Sequence, residues 1–371
     1  QFGVYANEDI KASNGDVILK DALITFANCD KNGNISFDCD LPVGFKWYVK
    51  EIATDKHYIL SDTKYEFDTE YQGQDIKVID IKVNNDKAIE NNLIYGSVKG
   101  LKVDRETQEV IKGATFGLFF ANTFELAEKN AVLTAVTDEN GIFTFTNVPY
   151  GEYIIKELNP AEGYLDNEDI FKVTISTHEQ TIELTPINDR IPELKTTATV
   201  DGNKEVNATE VFTLTDTVEY KHLVPGKEYV LKGVLMNKAT GKALELDGKE
   251  ITSEVKFTPE QPSGTVDLLF TFDSKFIKTE TQIVAFEYLY KDGKELTTHT
   301  DIEDEGQTVT IHIPSIKTTA KANDKKKATA KGKLTITDTV SYENLTPDKE
   351  YEITGVLMDK ATGKPFMVKG K

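Results

Sequence analysis

The residues in this sequence that could do chemistry are carboxyls placed in strands rather than histidines or cysteines. The five histidines, His57, His178, His222, His299 and His312, form no closely spaced metal pair. No Gly-x-Ser-x-Gly elbow or phosphate-cradling glycine loop occurs. Cys29 and Cys39 lack zinc spacing and are too few for a disulfide framework. Two unreactive thiols, or one local disulfide across Asp30-Lys31-Asn32-Gly33-Asn34, both remain open readings. Strand alternation in Tyr153-Ile154-Ile155-Lys156-Glu157 puts Tyr153, Ile155 and Glu157 on one face. Trp47, Val49 and Glu51 share a face in the same way. Twice, then, a carboxyl ends an apolar face. Buried without a cation it is protonated, because desolvation raises its pKa; at a sandwich rim it is an ordinary solvated glutamate.

The elements that must position these groups are repeated β modules. Gly233-Val234-Leu235-Met236 returns as Gly355-Val356-Leu357-Met358, Asp216-Thr217-Val218 as Asp338-Thr339-Val340, and Lys195-Thr196-Thr197-Ala198 as Lys317-Thr318-Thr319-Ala320, each at an offset of 122. A weaker repeat pairs Asn32-Gly33-Asn34-Ile35-Ser36-Phe37 with Asn140-Gly141-Ile142-Phe143-Thr144-Phe145, each followed by a strand carrying Lys-Glu. Runs such as Phe171-Lys172-Val173-Thr174-Ile175 alternate with period two, and Asn-Gly, Pro-Gly and Asp-Gly pairs separate them. Only Phe124–Lys129 could form a short helix. The reading is all-β, a rod of tandem sandwiches that each bury their own core.

Length and composition agree. The 371 residues suit two or three domains of ordinary size. A formal charge of −19 argues against binding a phosphate backbone. At 39% hydrophobic residues the chain can build packed cores, and no run is long enough to span a bilayer. Nothing at the N-terminus reads as a leader, and Phe2-Gly3-Val4-Tyr5 already reads as a strand, so the natural start is expected upstream.

Residues 95–190 resemble the collagen-adhesin B-type domains of Gram-positive surface proteins. The resemblance rests on Gly96-Ser97-Val98-Lys99-Gly100-Leu101-Lys102-Val103-Asp104, Lys112-Gly113-Ala114-Thr115-Phe116, Lys156-Glu157-Leu158-Asn159-Pro160 and Pro186-Ile187-Asn188-Asp189. It implies a Lys102–Asn188 isopeptide bond assisted by Glu157. Lys99 competes for the lysine role if Gly100 marks a bulge. Residues 1–94 resemble the same module without its first strand, with Glu51 and Asn91 at the matching positions and the lysine expected upstream. Residues 191–314 resemble the Thr–Gln ester domains of related adhesins, through Leu194-Lys195-Thr196-Thr197-Ala198, Asp216-Thr217-Val218, Val284-Ala285-Phe286-Glu287 and His299 eight residues before Gln307. That resemblance implies Thr196 as nucleophile, Gln307 as acceptor, His299 handling the proton, and Asp216 and Glu287 as supporting acids. Residues 315–371 repeat only the opening, with Thr318 and Asp338, and are expected to pack poorly or to continue.

These resemblances imply the stalk of a surface adhesin, extracellular and anchored to the cell wall, which self-formed cross-links protect against force and proteolysis. A subunit of a sortase-assembled pilus is the alternative, although no Tyr-Pro-Lys motif is present. The implied partners, a host or matrix ligand and peptidoglycan, would be reached through segments outside this chain. Nucleic acid is not an implied partner, no cofactor or metal is required, and the only reactions are single-turnover ones within the chain.

Overall fold

A computed structural model describes residues 1–208, 211–329 and 331–367. Strands dominate, and the helical elements among the described residues are three short 3-10 turns, Val83–Asp86, Glu128–Asn130 and Ser274–Phe276. The expected helix at Phe124–Lys129 reduces to the second of these, since so short a stretch gives few hydrogen bonds for the residues it fixes. No described helix is long and apolar enough to cross a membrane. The chain divides into two compact units, Gln1–Asp189 and Arg190–Lys371.

In the first unit, residues 95–189 form a two-layer sandwich. One sheet runs Leu133–Val136, Thr115–Phe120, Gly151–Asn159, Ile170–Ile175; the other runs Ile142–Pro149, Tyr95–Leu101, Thr181–Leu184. Alternate residues from both sheets, including Val98, Phe116, Leu118, Phe145 and Ile155, fill the core. Burial at this level contributes about 1.5–3 kcal/mol per large side chain. Gly100 is no bulge. Its register with Phe143 is regular, and the irregularity falls between Phe145 and Val148. A Cβ at Gly100 would stand 2.0 Å from the Phe143 ring, so the glycine makes room for that ring, which stacks on Phe116.

Residues 1–94 repeat one of these sheets and not the other. The order Leu23–Ala27, Phe2–Ala6, Lys46–Glu51, Tyr65–Asp68 matches strand for strand. The register matches too: Phe2 opposes Glu51 as Phe116 opposes Glu157. No described strand takes the place of Tyr95–Leu101, the middle strand of the second sheet. The segments that such a strand would bridge are irregular: Ile35-Ser36-Phe37 forms no ladder, and Val83–Asp86 is a 3-10 turn. Ile35 and Phe37 are accordingly half-buried, whereas their counterparts Phe143 and Phe145 are buried. Cys29 and Cys39, in the irregular stretch beside them, are free thiols.

In the second unit, residues 193–312 form a larger sandwich. Glu193–Val200, Val211–Lys221 and Gly264–Asp273 make one sheet. The other is built on Glu205–Asn207, Thr308–His312, Thr281–Lys291 and Tyr229–Asn237, with Lys294–His299 also paired to Thr281–Lys291. Residues 315–367 repeat the opening hairpin in identical register: Ala320 opposes Asp338 as Ala198 opposes Asp216. Here no opposing sheet is present among the described residues, and Ile316 and Tyr342 are each 63% exposed. Residues 368–371, the tail of this expected module, lie outside the described residues.

Candidate cross-linking sites

Lys102 lies just past the end of the Tyr95–Leu101 strand, on the inward parity of Val98 and Gly100, and Lys102 N donates to Gly141 O at 2.8 Å. Its side chain is fully buried, while Lys99 is exposed. The Lys102 ammonium is 3.2 Å from Glu157 Oε2, and Asn188 Nδ2 donates to the same oxygen at 3.2 Å. Asn188 arrives on the last strand, Ile187–Asn188, which pairs in parallel with Val103–Asp104. Glu157 Oε1 has no partner. Burial pulls the lysine down and pushes the glutamate up, each partly offset by the other. Both shifts favour the neutral pair, an amine beside a carboxylic acid. A neutral amine next to an amide carbon, with an acid touching both nitrogens, can carry out amide exchange.

In residues 1–94 the same two positions also meet. Asn91 Nδ2 donates to Glu51 Oε1 and to Thr54 Oγ1, each at 2.8 Å. Ser61 N donates to Glu51 Oε2 at 2.9 Å, so both carboxyl oxygens are occupied. No lysine of the described residues hydrogen-bonds to this pair.

The second cluster spans the two sheets of residues 193–312. Thr196 and Asp216 point inward from the first two strands, Glu287 points inward from Thr281–Lys291, and Gln307 immediately precedes Thr308–His312. Thr196 is 2% exposed and the other three are fully buried. Gln307 Nε2 donates to Glu287 Oε2 at 2.7 Å and to the His299 carbonyl at 3.1 Å. The Thr196 hydroxyl and the Glu287 carboxyl both lie beside Asp216. Two facing carboxyls are tolerable only if they share a proton. Burial, then the Asp216 charge, pushes Glu287 up to about 11, so Glu287 holds that proton. Asp216 is also raised, by burial, and Glu287, Thr196 and the Lys204 charge offset that only in part.

His299 stands on the glutamine side rather than against the threonine. Its Nδ1 is 3.4 Å from Glu287 and its Nε2 is 3.4 Å from Asp304. Thr318 and Asp338 reproduce the hairpin but are exposed, and no second acid, histidine or glutamine faces them among the described residues.

Two further residues serve this site and were not singled out from sequence. Asp304 accepts from Gly306 N at 2.6 Å and shapes the loop before Gln307. Lys204 donates to Gly306 O. The available signal was Lys326, which lies at the repeat offset from Lys204.

Comparison with known proteins divides the chain the same way. Residues 1–87 and 96–190 match the family of prealbumin-like fold domains. Residues 192–311 and 314–370 match the family of T-Q ester bond containing domains. A collagen adhesin of Staphylococcus aureus is 25% identical over 197 residues, covering 48% of this chain. The chain spans only 17% of that protein's length. Among solved structures, the major pilin subunit BcpA of Bacillus cereus is similar at 15% identity, covering 67% of this chain and 85% of its own, with a TM-score of 0.41. An adhesin of Mobiluncus mulieris containing intramolecular disulfide, isopeptide and ester bond cross-links is similar at 15% identity, covering 41% and 77%, with a TM-score of 0.31.

Proposed function

We propose that this chain, a Gram-positive pilin- or adhesin-type stalk assembled from prealbumin-like and T-Q ester bond containing domains, locks its own sandwiches with an isopeptide and an ester. One observation supports this above the rest. Every buried side-chain polar atom left without a partner among the described residues belongs to one of the two clusters: Glu157 Oε1 in the first, and atoms of Thr196, Asp216, Glu287, His299 and Gln307 in the second. Unpaired buried polar groups cost about 1–3 kcal/mol each. Their concentration at two points fits groups poised to react.

At the first site, neutral Lys102 attacks the Asn188 carboxamide carbon. Its proton passes to Glu157 and on to the departing nitrogen, so an amide forms and one ammonia leaves. At the second, Thr196 attacks the Gln307 carboxamide carbon, Asp216 takes the hydroxyl proton, and Glu287 protonates the leaving nitrogen. An ester forms, one ammonia leaves, and the proton returns from Asp216 to Glu287. His299 steadies the Glu287 carboxyl through this exchange. Each bond joins the first strand of its domain to the last. Glu51 and Asn91 are the acceptor half of the first chemistry, with no lysine of the described residues hydrogen-bonded to them. In the cell the chain would be a wall-anchored spacer.

Intact mass under denaturing conditions tests the reading. The mature protein should weigh less than its sequence by two ammonias, and a tryptic map should join the Lys102 peptide to that of Asn188 and the Thr196 peptide to that of Gln307. Hydroxylamine should open only the ester. Full sequence mass in folded, aged protein would refute both bonds.

A further inference from the structure

Lys204 sits in the turn after the first strand of residues 193–312, outside the group of five residues that touch the reacting atoms. Val200 and Asn203 exchange backbone hydrogen bonds at 3.0 and 2.9 Å, and Thr310 N donates to Lys204 O at 2.8 Å. The turn is therefore pinned to both the first strand and the last. The half-buried Lys204 ammonium donates to Gly306 O, which also accepts from Ala198 N at 2.9 Å. One carbonyl thus ties together the strand that carries Thr196, the turn, and the peptide joined to Gln307. A Cβ at Gly306 would lie 2.9 Å from Asp304 Oδ1 and 3.0 Å from Thr196 O, so the loop passes close against the first strand here.

The charge matters as much as the tether. Asp216 and Asp304 both act on Lys204, against a burial that pulls the lysine down, and Lys204 acts back on Asp216. Asp216 faces Thr196 on its own sheet, Glu287 and His299 across the core, and Lys204 from the turn. Among these, Lys204 supplies the ammonium. In the second repeat, Lys326 occupies the equivalent turn; with no glutamine loop present its ammonium donates to Ala320 O at 3.3 Å instead.

We propose that Lys204 is a positioning residue of the ester-forming site, holding the Gly306–Gln307 peptide against the first strand and turning its ammonium toward Asp216, the group that receives the threonine proton. This rests on the ester reading above. The sign follows directly. Removing the cation raises Asp216, so less of it is ionised at acidic pH and the acid limb of the maturation rate moves upward.

The test uses the whole chain, made by brief cell-free synthesis, shifted to buffers from about pH 5 to 9 and quenched in denaturant at intervals, with loss of ammonia at Gln307 read by mass. Lys204→Met should mature several-fold more slowly at the acid end of this range and gain on wild type as the pH rises. Lys204→Gln, which keeps a donor and loses the charge, should show the same displaced profile in a chain that folds. Lys204→Arg should restore the wild-type profile. Maturation of both uncharged variants at the wild-type rate, or slowing of Lys204→Gln by one factor at every pH, would overturn the proposal while the wild-type ester stands. A wild-type arm that never loses the Gln307 ammonia would overturn it together with the ester itself.

Discussion

Single residues decide whether bonds form. Glu157 touches both nitrogens of the first site, so Glu157→Gln should leave Lys102 and Asn188 unlinked, as judged by a tryptic map of the denatured protein. Lys99→Ala should link normally, because Lys99 is exposed. The second site also makes a pH prediction. In Thr196→Ala no ester can form, and the buried acids remain. Glu287 is raised when folded, so the native state holds a proton that the unfolded chain gives up above about pH 4.3. Stability should therefore be greatest in mild acid. It should fall as pH rises toward about 11 by at most about 1.4 kcal/mol per unit, since the unfolded state is then the one binding fewer protons. Denaturant titrations at pH 5 and pH 8 should show this, and adding Glu287→Gln should flatten it.

At the scale of elements, Gly100 is the sharpest test. Gly100→Ala drives a Cβ into the Phe143 ring, displacing the strand that leads to Lys102. A loss of about 1–3 kcal/mol and slower linking are expected, by calorimetry and mass. Phe143→Leu should recover part of both. This glycine also shows what was legible in the sequence. Alternation put Glu157 and Glu51 on the apolar faces, because facing is a local property of a strand, and left open whether they reached the core or the rim; both are buried. The reason for Gly100 was not local, since it answers to a ring more than forty positions along the chain. Lys102 keeps the inward parity of Val98 and Gly100; what left Lys99 open was a bulge at Gly100, and the regular register there removes it. Lys204 escaped for the same kind of reason as Gly100: its meaning lies in one carbonyl about a hundred residues away. Its recurrence as Lys326 was readable, but lysines in turns are ordinary surface residues until the contact is seen.

For the molecule as a whole, the two bonds should behave as independent fasteners of different chemistry. By analogy with disulfides, closing loops of roughly 86 and 111 residues removes about 4.5 and 5 kcal/mol of unfolded-state entropy. Hydroxylamine should lower the melting transition of the Thr196–Gln307 domain alone. A matching fall in the Lys102–Asn188 domain would mean that the two do not unfold separately.

Because each proposed bond would tie the first strand of a sandwich to its last, most of the polypeptide between them would drop out of the stretchable thread. Residues 103–187 would otherwise pay out about 290 Å when drawn straight, and residues 197–306 about 370 Å. A mature chain held by its ends in an optical trap should keep both lengths in reserve, however far its sheets are disrupted. After hydroxylamine the second length, and only the second, should appear as a step of about 370 Å. The two bonded spans would act as ties of nearly fixed reach, whose give is set by chemistry completed before any load arrives.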